Sequence, residues 1–322
     1  MDRHRPVGLT AAVQPASRWA GPLCAVVGVL GFSFKAILIK LAYQIHPVDA
    51  ATLLMLRMLY SAPFFCAMAW WATRHGEDVT LQRADWMQLA WLGFIGYYLA
   101  SLFDFMGLQY ITASLERLVM FLYPTIVVLL SAVLLRQAIT RRVVAALVLS
   151  YAGIALVVAD DLAASGDRAA TLTGSGLVFA GAVLYALYLV QAGSIIKRLG
   201  SLRFIAWAML ASTVFVVAQF ALTRPWSALD VPASVHLIVL VIAIFSTVLP
   251  TWLIAESIRR MGANSASLVG ALGPVFTIGF GAMILGEPIH GVQLVGAALV
   301  LTGVMLVTLK ARAPAALGKL TD

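Results

Sequence analysis

Charge is what this sequence has least of. Lys, Arg, Asp and Glu make up 11% of its 322 residues, against about 25% in a typical soluble domain, which leaves too little polar surface to coat a water-soluble fold. Cysteine is nearly absent: Cys24 and Cys66 both fall inside apolar stretches without metal-ligand spacing, which excludes a disulfide scaffold and reads as small packing residues. The five histidines, His4, His46, His75, His236 and His290, lie in tails, loops or the ends of apolar segments, so no metal centre is expected. No glycine-rich phosphate loop with its lysine occurs, and no nucleophile stands with a base. An ATP-driven pump and a polytopic membrane enzyme are both disfavoured, and no cofactor is expected. Embedded polar residues are too sparse for the continuous lining of a channel.

Hydrophobicity takes the place of charge, at 62% of residues with mean hydropathy +0.96. Such a chain uses lipid as its solvent. Windows of about 20 apolar residues, the length that crosses about 30 Å of hydrocarbon, give ten candidate spans: 19–43, 48–72, 86–109, 112–135, 141–160, 173–197, 203–223, 234–258, 262–286 and 289–310. The expected fold class is an all-α polytopic membrane protein, with no soluble domain between its short loops.

A net charge of +8 invites a nucleic-acid reading, but the basic residues alternate along the chain. Sixteen of the 22 lie in the tails and in every second loop: Arg3, Arg5, Arg18; Arg74, Arg83; Arg136, Arg141, Arg142; Lys197, Arg198, Arg203; Arg259, Arg260; and Lys310, Arg312, Lys319. The intervening loops hold only Arg168 and Arg224, and four more are inside spans. This is an orientation signal that puts both termini in the cytoplasm, with no nucleic-acid partner implied. The first eighteen residues have no apolar core, so a cleaved signal peptide is not expected. No obligate protein partner is evident; the expected partners are the lipid bilayer and a small molecule.

Residues 111–158 overlay residues 261–308 at a constant offset of 150 without a gap, matching Pro124 to Pro274 and Gly153 to Gly303. Five spans per copy is an odd number, so the second copy must enter the membrane from the opposite side. The chain divides into a cytoplasmic tail (1–18), repeat 1 (19–160), an external linker (161–172), repeat 2 (173–310) and a second tail (311–322). Inverted repeats with interrupted helices are the pattern of secondary transporters, whose halves exchange conformations around a midplane site. Pro124 and Pro274 remove backbone donors at matched places and free the carbonyls of Met120 and Gly270. A packing kink is the plainer alternative, and Pro63 and Pro250 fit that description.

The segment "TASLERLVMFLYPTIVVLLSAVLL" at 112–135 and its counterpart "GANSASLVGALGPVFTIGFGAMILGEPI" at 262–289 resemble the paired EamA repeats of the drug/metabolite transporter superfamily. Supporting stretches are "GFSFKAILIKLAY" (31–43), "LLMLRMLYSAPFF" (53–65) and "GVQLVGAALVLTGVMLV" (291–307). The family's frequent Gly-Glu after span four is replaced by Arg136-Gln137, whereas Gly286-Glu287 keeps it in repeat 2. The resemblance implies a ten-helix carrier of amino acids or other small metabolites, similar to the YddG-type amino-acid exporters.

Two sets of residues are candidates for transport. Ionisable groups within spans mark pathways or fixed structural pairs: Lys35, Lys40, Arg57, Asp104, Glu116 and Arg117, with Arg57 expected to pair with Asp104 or Glu116 in a network of spans one to four, either gating or architectural. Glu256 is expected to pair locally with Arg259 or Arg260. A cavity would be lined by aromatic and hydrogen-bonding faces: Phe94, Tyr97, Tyr98 and Ser101 in span three, Tyr185, Tyr188 and Gln191 in span six, and Phe245, Ser246 and Trp252 in span eight. For any one tyrosine, buried packing competes with ligand contact.

Overall fold

The computed structural model describes residues 19–75, 80–134, 136, 138–164, 166–261 and 269–308, without the side chain of Arg259. Both expected tails, and Gln137, lie outside them. Among the described residues every regular element is helical. We number the spans α1 (Ala20–Ile45), α2 (Ala50–His75), α3 (Arg83–Gly107), α4 (Ala113–Leu134), α5 (Arg141–Ala164), α6 (Arg168–Leu199), α7 (Ser201–Thr223), α8 (Ala233–Ile258), α9 (Gly273–Leu285) and α10 (Gly291–Thr308). Among the described residues, all but α9 are long and apolar enough to cross a membrane. The expected ninth span, 262–286, is described only from 269.

Local chemistry sets the helix starts. Asp49 accepts from the amides of Ala51 and Thr52 at 2.9 and 3.1 Å and so caps α2. Gln82 and Asp85 form a reciprocal capping box at the head of α3, and Thr112 accepts from the Leu115 amide to open α4. The expected linker 161–172 is shorter in the structure: α5 continues to Ala164 and α6 begins at Arg168. Asp167 supplies the reason, since its carboxylate caps the Ala170 amide at 2.9 Å and starts α6 earlier than hydropathy alone places it.

Lipid tails are as apolar as leucine, so helices associate in a bilayer through close packing rather than through the hydrophobic effect. At the α5–α10 contact Gly153 and Gly296 meet backbone to backbone: a methyl on either would approach the other's carbonyl oxygen at 2.6–2.7 Å. The large side chains of Val133, Leu222 and Met283 point outward, as lipid-facing residues do.

Helix pairing repeats the duplication. α1 packs on α8 and α6 on α3; α4 packs on α6 and α9 on α1; α2 meets α7, α4 meets α9 and α5 meets α10. Exchanging each helix for the one five places along maps these seven pairs onto one another. The backbone shows the same register. A π-helical turn interrupts α3 at Gly93–Leu99, and another interrupts α8 at Ile244–Val248, a separation that matches the 150-residue offset read from the sequence. Nothing in side-chain identity announces these turns, and such turns are frequent at functional sites.

Candidate functional site

The two matched prolines mark real interruptions, of a different form from the expected single freed carbonyls. α4 stops at Met120 and restarts at Tyr123 after a turn at Phe121 and Leu122. A turn at Ala271 and Leu272 precedes the restart at Gly273. Each proline thus occupies the first turn of a new half-helix, where its missing N–H has no partner to lose, instead of the interior, where it would cost about 3 kcal/mol. Backbone groups near the breaks are satisfied locally. Thr125 Oγ1 donates to the Leu122 carbonyl at 2.7 Å. Ser33 of α1 and Thr277 of α9 both donate to the Gly273 carbonyl at 3.1 Å.

A ladder of tyrosines runs beside the α4 break. Tyr123 meets Tyr185 edge-on with ring centroids 5.2 Å apart, Tyr185 stacks on Tyr188 at 5.6 Å, and Tyr188 meets Tyr97 at 5.1 Å. The Tyr97 and Tyr188 hydroxyls share a hydrogen bond of 2.8 Å. Gly96 makes room for this: any side chain there would collide with the Tyr188 ring. The structure therefore brings Tyr97, Tyr185 and Tyr188 together and adds Tyr123, whose position beside Pro124 was the only signal in the sequence.

The other candidates from the sequence are distributed around this ladder. Phe94 and Tyr98 pack with each other and with Phe215 of α7. Ser101 is half-buried one turn after Tyr97. Gln191 accepts from the indole of Trp91 at 3.0 Å. Ser246 is buried in the π turn of α8, its hydroxyl without a partner among the described residues. Phe245 and Trp252 are exposed.

Beside the ladder lies a charge cluster. Asp104, 0% exposed, pairs with Lys35 at 2.6 Å and not with Arg57, the expected partner. Arg57 instead stacks its guanidinium over the Phe105 ring at 5.0 Å while remaining in electrostatic reach of Asp104. Helix packing decides this, since by its own chemistry the guanidinium suits a buried carboxylate at least as well as an ammonium; here it is placed over an aromatic face instead. Glu116, also 0% exposed, interacts electrostatically with Asp104, Lys35 and Arg117, yet among the described residues neither of its oxygens accepts a hydrogen bond from a donor side chain or amide. Lys40 lies apart from the cluster and donates to the Ile111 carbonyl at 2.9 Å. Glu256 pairs with Arg260 one turn on, at 2.6 Å.

One residue escaped the sequence reading of roles altogether. Glu287 follows Gly286, which takes the left-handed conformation at φ 67°, and its carboxylate reaches the start of α4. Oε1 accepts from the Ala113 amide at 2.7 Å, while Oε2 accepts from the Ser114 amide at 3.1 Å and the Ser114 hydroxyl at 2.6 Å. The acid of the second repeat thus caps a helix of the first. Among the described residues no cluster of His, Cys, Asp and Glu is arranged to hold a metal.

A duplicated helical bundle with matched helix breaks and a polar, aromatic interior belongs to a multi-pass membrane transporter rather than to an enzyme. The chain matches the EamA-like transporter family over residues 19–159 and 172–309 and belongs to it. It is 29% identical over 287 residues, 86% of this chain and 89% of the other, to the uncharacterized transporter YcbK of Bacillus subtilis. It is 27% identical to a probable terminal-alkyne amino-acid exporter of Streptantibioticus cattleyicolor, covering 62% of this chain and 66% of that one. An S-adenosylmethionine/S-adenosylhomocysteine transporter of Chlamydia trachomatis is 26% identical, covering 66% of this chain and 67% of its own.

Proposed function

We propose that this transporter moves amino acids or closely related small metabolites, in the direction of export, by alternating access of two inverted repeats. The observation that carries this reading is the tyrosine ladder Tyr123–Tyr185–Tyr188–Tyr97, which begins at the break in α4. Amphipathic rings with fixed hydroxyls suit a cargo that is part apolar and part polar. The main helix pairs, which map onto one another when the repeats are exchanged, support alternation between two related arrangements. Two relatives whose names include an amino-acid exporter and a carrier of an amino-acid derivative favour the same cargo class. Both termini are placed in the cytoplasm, with the protein in the cell inner membrane, on the alternation of basic loops.

Purified protein in liposomes, offered a panel of amino acids, cationic drugs and sugars with and without a pH gradient, tests the reading. Saturable amino-acid flux with counterflow is the expected result. Flux confined to the cations or sugars overturns the cargo class, and flux that never saturates overturns the carrier mechanism. A fusion reporter that places the C-terminus outside overturns the orientation.

A further inference from the structure

Arg117 stands in the last turn of α4 before its break and faces the break in α9. A methyl group on Gly273 would come within 2.9 Å of one of its terminal nitrogens. Its electrostatic neighbours are Glu116, Tyr123 and Tyr185, the last two being the first rungs of the ladder. Yet among the described residues its Nε is buried without a hydrogen-bond partner, and neighbouring Glu116 accepts no hydrogen bond from it. Among the described residues the cluster is also unbalanced. Lys35, Arg57 and Arg117 face Asp104 and Glu116, and Lys35 is already committed to Asp104 at 2.6 Å. A guanidinium held within a span without an engaged anion is costly, and such groups persist where a ligand or a water-filled path supplies the counter-charge.

We propose that Arg117 is the docking point for the carboxylate of the cargo, which orients the rest of the molecule along the tyrosine ladder. This rests on the amino-acid reading above and narrows it to substrates that carry a free carboxylate. The guanidinium fork matches a carboxylate with two parallel N–H donors. Tyr123 and Tyr185 lie in electrostatic reach of the guanidinium, and an aromatic rung beside the docked carboxylate would take an apolar side chain or, by cation–π contact, an ammonium group. Recognition then discriminates against amides and amines, because an analogue without the carboxylate leaves the guanidinium unpaired.

Two measurements test this separately from the amino-acid reading. In the unmodified protein in liposomes, phenylglyoxal labelling of Arg117, read by peptide mass spectrometry, is expected to be slowed by 3-phenylpropionate and by L-phenylalanine but not by L-phenylalaninamide or phenethylamine. Equal labelling with and without the two carboxylates overturns the proposal, whatever the protein transports. In flux assays Arg117→Gln is expected to raise KM for a transported amino acid about tenfold or more, the loss of one charge-assisted pair, with Arg117→Lys intermediate. An unchanged KM in a folded Arg117→Gln protein overturns it too. Protection by carboxylates in a protein that moves no amino acid would sink the transport reading and leave the docking site standing.

Discussion

Glu287 and Ser114 are 173 residues apart in sequence and joined at 2.6 Å, hydroxyl to carboxylate. The contact ties the end of α9 to the start of α4, and two backbone amides of α4 share the same carboxylate. Gly281 leaves the space, since a methyl there would approach the carboxylate at 2.6 Å. A side-chain cap is worth about 0.5–2 kcal/mol, and a charged one at a helix N-terminus lies toward the upper end. Glu287→Ala is therefore expected to lower the unfolding midpoint by several degrees. Glu287→Gln, which keeps an acceptor but loses the charge, should fall between. Thermal unfolding in detergent checks both, and an Ala variant as stable as the parent would show that the clasp contributes nothing.

The Lys35–Asp104 pair predicts a sharp asymmetry between single and double substitutions. Removing one partner of a buried pair strands a charge and costs about 3–5 kcal/mol, while replacing both by apolar residues of similar volume is often neutral. Asp104→Leu alone is expected to lose folded protein, and Lys35→Met with Asp104→Leu to regain most of it. Folded yield by fluorescence-detected size exclusion reads the stability. Flux through the double variant then separates architecture from gating: retained flux makes the pair structural, and lost flux in a stable protein makes it part of the mechanism.

The spans, the duplication, the positions of both helix breaks and the Glu256–Arg260 pair were legible in the sequence because each depends on local pattern: hydropathy over a turn count, proline geometry, or spacing along one helix. What stayed hidden depends on which helices meet. Lys35, Arg57 and Asp104 share a depth, but only the packing of α1 against its neighbours decides that the lysine takes the acid and the arginine takes Phe105. Tyr97 and Tyr98 are adjacent and chemically identical, yet one faces Tyr188 and the other Phe215, a split that comes from the turn of about 100° between successive helical residues and from which helices lie on either side. Glu287 was visible as part of a Gly-Glu pair, but its partner lies in the other repeat, where no spacing rule reaches.

Asp49, between α1 and α2, predicts a pH-dependent term. Partial burial pushes its carboxyl up, but hydrogen bonds from the Thr52 hydroxyl and amide, and the Arg224 guanidinium at 3.2 Å, outweigh that and hold it below the usual carboxylate range. A depressed folded-state value means that its stabilisation is present above the unfolded value, near pH 4, and is lost as pH falls through the lower folded one. Because the group is partly exposed, solvent screening keeps the effect small. The stability gap between the parent and Asp49→Ala should be open at pH 7 and narrow below pH 4. A gap that is constant with pH would assign the effect to packing.

The closeness of Gly96 and Tyr188 yields a prediction that separates ring position from hydrogen bonding. Tyr188→Phe removes only the 2.8 Å bond to Tyr97, a net change of about 1 kcal/mol, and leaves the ring on its neighbours Tyr185 and Phe204. Gly96→Ala keeps every hydroxyl, but its methyl would collide with the ring and with Tyr188 Cβ at 2.8 Å, so the ladder must shift or the helices must part. Overpacking of this kind costs about 1–3 kcal/mol. Gly176→Ala is the matched control on α6, since nothing lies within 4 Å of the added methyl. Replacing a mid-helix glycine by alanine there should stabilise by about 0.8–1 kcal/mol. If the ladder positions the cargo, flux should fall further in Gly96→Ala than in Tyr188→Phe and stay unchanged in Gly176→Ala. Equal flux in all three, at equal protein levels, would remove the ladder from the transport path.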